Sequence, residues 1–147
     1  MFGPTASGKS KLAIDIAKKF KGEIVNADSM QVYKEVKILS ARPDDKVVKH
    51  HLYGFVSVKK SFSTGAWLKQ AVKKIKQINK KGKVALVVGG TGLYFKALTE
   101  GFSEIPNVPK PKINFKLNKS YISKFPKIFK VFSENDKQRL QRAFLVY

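Results

Sequence analysis

The eight residues Gly3, Pro4, Thr5, Ala6, Ser7, Gly8, Lys9 and Ser10 follow the pattern G-x-x-x-x-G-K-S/T, a spacing suited to holding a phosphorylated group. Glycines let successive backbone N–H groups close around an anion, and a helix that starts where the loop ends aims its positive terminus at the same point. Lys9 adds a positive charge, and the Ser10 hydroxyl offers a ligand for Mg2+. A plain glycine-rich turn is the competing reading, but by chance this pattern occurs in roughly one chain per hundred.

Two further features limit the chemistry. Only Met1 and Phe2 precede the loop, where a nucleotide hydrolase would place a full central strand. The apolar run 84–88 ends in Gly89 and Gly90 rather than in an acidic Mg2+ ligand. Hydrolysis of ATP is therefore disfavoured, whereas a site that holds a diphosphate as leaving group fits these residues.

The elements that must carry the loop can be read from periodicity. Leu12, Ala13, Ile16, Ala17 and Phe20 recur at helical spacing, predicting a helix from Lys9 with one buried stripe, closed by Gly22. Residues 23–26 read as a short strand, and 52–58 as a second extended piece. A loop and helix start are expected from Ala41, Arg42, Pro43, Asp44 and Asp45. Ser63 is a suitable cap for a helix that buries Trp67, Ala71, Ile75 and Ile78 and ends by Gly82. Residues 84–88, a continuous apolar run, predict a strand buried on both faces, broken by Gly89, Gly90 and Gly92. A helix over 93–100 should follow. Strands alternating with helices predict a parallel sheet. The expected fold class is thus α/β: a P-loop NTPase-like parallel sheet flanked by helices, with its first strand largely missing and a short basic insert.

The 147 residues carry 30 Lys and Arg against 10 Asp and Glu, a net charge of +20. That balance favours a polyanionic partner such as RNA. Only Arg42, Arg139 and Arg142 are arginines, however, so a lysine-rich composition that decorates every solvated face competes with this reading. The absence of cysteine excludes disulfides and thiolate metal sites and agrees with a cytoplasmic location. His50 and His51 are adjacent, so on a regular element they point apart and make a poor metal pair. No apolar run approaches the ~20 residues of a membrane span, so a soluble protein without membrane association is expected.

Three segments divide the chain: a core over 1–105, a basic insert over 106–134 and a closing helix over 135–147. Between Ile105 and Ser133 lysines alternate with aromatic residues and no acidic residue occurs. Leu140, Phe144 and Tyr147 stand at helical spacing in the last segment.

A second constellation, A-D-S-M-Q-V-Y over 27–33, and a third, G-G-T-G-L-Y over 89–94, each follow a strand-like piece. Both should emerge at the sheet edge that holds the phosphate loop, where open α/β sheets keep their ligands. In order and wording, G-P-T-A-S-G-K-S, A-D-S-M-Q-V-Y, H-H-L, F-S, G-G-T-G-L-Y and N-D-K-Q-R-L-Q-R-A resemble tRNA dimethylallyltransferases. The order of several motifs is far more specific than any one of them.

That resemblance implies transfer of a dimethylallyl group from dimethylallyl diphosphate to the exocyclic amine of the adenine 3′ of the anticodon. Asp28 would be the general base, Lys9 and Mg2+ at Ser10 would stabilise the departing diphosphate, and Thr91 would assist at the reacting centre. It also implies tRNA anticodon-loop contacts by Asp28, Ser29, Met30 and Gln31, and by Gln138, Arg139, Leu140, Gln141 and Arg142. Against these stand plainer roles: Asp28 as a helix cap, Thr91 as a turn residue, and Gln138, Arg139 and Arg142 as a solvated helical face. The histidines of the H-H-L motif read as structural. Phe144-Leu145 and Ser40-Ala41-Arg42-Pro43 depart from the usual family wording, and the chain is shorter than family members. The expectation is an incomplete, monomeric member of weak activity. An adenylate isopentenyltransferase, a non-catalytic basic RNA-binding remnant and a small-molecule kinase are the alternatives.

Overall fold

The structure is a computed structural model that describes residues 1–4, 6–44, 47–101, 124, 126, 132–133 and 135–146. Thr5, Asp45, Tyr147 and nearly all of the expected basic insert lie outside the described residues. The chain divides into two compact units, Met1–Ser103 and Glu104–Tyr147.

In the first unit, α1 (Lys9–Lys19) leads to β1 (Glu23–Asn26), β2 (His50–His51), α2 (Thr64–Asn79), β3 (Ala85–Val88) and α3 (Gly92–Glu100). The strands form one parallel sheet in the order β2-β1-β3. Central β1 pairs on both sides, Ile24 with His50 and Leu86, Val25 with His51 and Val87. All four of its residues are buried. Phe2 adds a parallel bridge to Gly89, and the Gly89 N–H donates to the Met1 carbonyl at 3.2 Å, so the phosphate loop starts from the far edge of β3.

Side chains on successive strand positions point to opposite faces, and that alternation builds two cores. Ile24 and Val88 meet Ala13 and Ala17 of α1, whose small side chains admit close packing. Val25 faces the larger cluster of Trp67, Ala71, Ile78 and Tyr94 from α2 and α3. Trp67 stacks on Tyr94 with ring centroids 4.2 Å apart and is fully buried. Truncating such a residue costs ~3–5 kcal/mol. The Ser63 Oγ accepts the Ala66 N–H at 3.2 Å and caps α2 as its position suggests.

Four expectations are corrected. The second extended piece is displaced: the strand beside β1 is His50–His51, and the 52–58 stretch opens with a left-handed Leu52 at φ 62°, then contributes only a Val56 bridge to Tyr33. No helix starts at Asp44, which instead pairs with Lys37 at 2.9 Å. Residues 85–87 are only half-buried and Val84 is exposed, because among the described residues only Met1 and Phe2 pair on the outer side of β3. Leu12 and Phe20 lie outside the α1 contact with the sheet, which the two alanines make.

In the second unit, α4 (Lys137–Val146) begins where the Asp136 carboxylate accepts the Arg139 N–H at 3.1 Å.

Candidate functional site

In a parallel sheet every strand delivers its following loop to the same edge, and here the loops at 3–8, 27–31 and 89–91 converge there. Between them lies a cavity of about 100 Å3. Of the expected residues, Ala6, Lys9, Ser10, Asp28 and Gln31 line it.

The phosphate loop turns through two left-handed residues, Ala6 at φ 62° and Gly8 at φ 79°. A Cβ on Gly8 would meet nothing within 4 Å, so glycine is demanded by the backbone angle rather than by lack of space. The Ser7 hydroxyl donates to the Pro4 carbonyl at 2.8 Å, and the Lys9 ammonium donates to the same oxygen while lying 3.4 Å from Ser7 Oγ. The loop thus folds around its own lysine, with α1 starting beside it.

Asp28 is held from below by the side chain of Asn26. Asn26 Oδ1 accepts the Asp28 N–H at 2.9 Å, and its Nδ2 donates to the carbonyls of Asp28 and Leu52, each at 3.0 Å. Asp28 Oδ1 accepts the N–H groups of Met30 at 2.9 Å and Gln31 at 3.4 Å. One carboxylate oxygen therefore caps a turn, while Oδ2 accepts no hydrogen bond among the described residues and is left for a ligand. The third loop reaches the same place because Gly89 has no side chain: a Cβ there would stand 2.1 Å from the Ala27 carbonyl oxygen.

Thr91 does not line the cavity. Its Oγ1 accepts the Ser29 N–H at 2.9 Å and lies 3.3 Å from Ser29 Oγ, and its N–H donates to Ala27 O at 3.2 Å. It ties the Asp28 loop to the start of α3. Gln31 likewise spends its amide on the Ser40 carbonyl, at 2.8 Å, which holds the turn that forms the outer wall. Met30 is exposed and Ser29 half-buried.

Two polar lining residues, Ser40 and Tyr53, are not among the site residues expected from the sequence. Burial, and to a lesser degree the Asp28 carboxylate, push the Tyr53 phenol well above its ordinary range, so it stays neutral. A tyrosine directly after the H-H-L motif was a signal open to reading. Asn26, polar at the end of an apolar strand and two residues before Asp28, was another.

Of the residues expected on the last helix, Gln138, Arg139 and Arg142 are exposed and Gln141 is half-buried. Leu140 is fully buried, which corrects its expected RNA contact: its part in the motif is packing. His50 and His51 do point apart, to the Val48 carbonyl at 2.7 Å and the Glu23 carboxylate at 2.6 Å. Among the described residues no group of three or more His, Cys, Asp or Glu could hold a metal ion. No helix among them is long and apolar enough to cross a membrane.

The family model for IPP transferase matches residues 31–147. The chain belongs to this family. A tRNA dimethylallyltransferase of Pelagibacter ubique is 51% identical over 97% of this chain and 50% of its own length. One from Hyphomonas neptunium is 42% identical over 99% of this chain, again 50% of its own. The chain spans about half the length of the curated relatives it matches. Among solved structures, a eukaryotic dimethylallyltransferase acting on tRNA superposes with a TM-score of 0.80 at 28% identity, covering 96% of this chain and 39% of that one. The tRNA isopentenylpyrophosphate transferase of Bacillus halodurans gives 0.67 at 27% identity, covering 99% and 53%. The family fold is thus present in this half-length chain, as the motif order implied.

Proposed function

We propose that this chain carries the catalytic cavity of a dimethylallyl transfer from dimethylallyl diphosphate to the exocyclic amine of the adenine 3′ of the anticodon in tRNA, in the cytoplasm. The observation that carries the reading is the cavity itself, where Lys9 and Ser10 face Asp28 across a space of about 100 Å3. A diphosphate fits the cationic loop end and an amine fits the carboxylate end. During transfer the C–O bond to the diphosphate breaks, its electron pair leaves with the diphosphate, and a C–N bond forms to the adenine amine. The amine proton passes to Asp28, whose Oδ2 is open to receive it.

Lys9, the loop N–H groups and the start of α1 stabilise charge that grows on the leaving group. Mg2+ suits this site, since that ion keeps several waters and commonly takes few protein ligands besides phosphate oxygens. Ser10 would hold it, and it would supply further neutralisation of the diphosphate. Thr91 supports the reaction by fixing the loop that carries Asp28. Exposed Gln138, Arg139 and Arg142, with Ser29 and Met30, are the proposed RNA contacts. A base must leave its stack to reach a cavity of this kind, as single-stranded RNA loops permit.

Incubation with labelled dimethylallyl diphosphate, Mg2+ and unmodified tRNA tests the reading. Label should enter the tRNA adenine, and Asp28→Asn should abolish most of it. Label in free adenylate but not in tRNA would favour the nucleotide-modifying rival, and ATP-dependent phosphoryl transfer would favour a kinase.

A further inference from the structure

We infer that Asn26 is a positioning residue for the transfer reaction, the clip that sets where the Asp28 carboxylate stands relative to the Tyr53 wall of the cavity. The inference rests on the reading of Asp28 as the base. The Asn26 side chain is fully buried at the end of the central strand. All its donors and one lone pair of its acceptor are used, and every bond goes to backbone on either side of the cavity. Oδ1 and Nδ2 grip the N–H and C=O of Asp28, at 2.9 and 3.0 Å, so this peptide segment is held in both directions. The second Nδ2 hydrogen reaches the Leu52 carbonyl at 3.0 Å, where the chain turns through φ 62° and presents Tyr53.

Asn26 is itself immobilised. The buried Trp67 indole N–H donates to its backbone carbonyl at 2.8 Å. A chain of rigid contacts therefore runs from the α2 core through Asn26 to Asp28 and on to Tyr53. Asparagine is the side chain that does this: it presents one acceptor and two donors in a plane, whereas aspartate of the same shape would set a buried carboxylate against two carbonyl oxygens. The Asp28 carboxylate then caps its own turn with Oδ1 and keeps Oδ2 clear of hydrogen bonds among the described residues, an arrangement that fails if the peptide below it rotates. Small displacements of this kind are costly, because transfer requires the base and the amine in register.

Amide exchange measured by NMR on the Asn26→Ser protein reads the clip without requiring transfer. The reporter is the Met30 N–H, which bonds to the Asp28 carboxylate and not to Asn26. Its exchange should quicken about tenfold, the size of one lost hydrogen bond, while Ala27, bonded to Val88, keeps its rate. Unchanged Met30 exchange would overturn the inference. So would loss of protection throughout α1 and β3, which would make Asn26 a residue of the fold alone. Asn26→Asp, which keeps the shape, serves as the second variant and should show the same local change.

Single-turnover transfer then separates this claim from the one beneath it. Asn26→Ser should slow transfer in the native background and add little once Asp28→Asn is present, because it acts through that carboxylate. A full additional loss in the Asp28→Asn background would contradict positioning. Failure of the base reading shows elsewhere, as an undiminished rate for Asp28→Asn alone, and leaves the Met30 measurement standing.

Discussion

The two ends of β1 hold two polar clusters of opposite design. At its start, the buried Glu23 carboxylate takes Lys83 Nζ at 2.8 Å on one oxygen and His51 Nε2 at 2.6 Å on the other. Those bonds, Lys83 first, hold its carboxyl down at about 2 despite burial. At the other end the Asp28 carboxylate spends one oxygen on its own turn and leaves the second open, while polar contacts of Asn26 and Thr91 fix the backbone beneath it. A carboxylate with both oxygens occupied can only stabilise the fold. One with a free oxygen, on a rigid support and facing a cavity with a lysine, can take a proton from a substrate.

The largest expected effect separates the two directly. Asp28→Asn should lower the single-turnover transfer rate by ~10²–10⁴ with donor affinity little changed, since the amide keeps the shape but not the base. Thermal unfolding should barely move. Glu23→Gln should do the reverse, losing about 2 kcal/mol in denaturant unfolding through two weakened charged hydrogen bonds while the transfer rate is kept. If Glu23→Gln slowed chemistry as much as Asp28→Asn, the contrast between the ends would be lost.

Acid reaches the Glu23 cluster directly. The Glu23 carboxyl is depressed from 4.5 to about 2, so its contribution is complete above the ordinary value and is lost as pH falls from there toward 2. Stability of the native protein should drop across that window, and Glu23→Gln should flatten the drop; parallel acid unfolding curves would show that the depression comes from elsewhere. A smaller effect is expected at the loop tether. Thr91→Val removes a half-buried acceptor from the Ser29 N–H, worth about 1 kcal/mol, and should slow transfer several-fold, whereas Thr91→Ser keeps both. Equal rates for the two variants would limit Thr91 to its backbone role.

The part of this architecture that was legible in the sequence is the part set by local spacing. The phosphate loop, α1, the Ser63 cap and the glycines after β3 all announce themselves within a dozen residues. The motif order pointed further, to the family. What stayed hidden is non-local. β2 is two residues long and exists because His50 and His51 meet Ile24 and Val25 across a long connection. Gly89 reads as a strand breaker, yet its real constraint is the Ala27 carbonyl pressed against it. Asn26 and Tyr53 gain their significance only when the loops after β1 and β2 close on one cavity. Leu140 stands among the RNA contacts that the family resemblance implies, yet it also opens the helically spaced row with Phe144 and Tyr147, and the structure buries it.

In the proposed reaction the phosphate loop and Asp28 are two ends of one donor-and-acceptor site, and calorimetric titration with dimethylallyl diphosphate and Mg2+ probes the loop end alone. The native protein should bind the diphosphate, Lys9→Ala should bind it at least about tenfold more weakly through loss of a charge-assisted contact, and Asp28→Asn should bind it as the native protein does. Equal affinity in the native and Lys9→Ala proteins would take the loop out of the site and contradict the account.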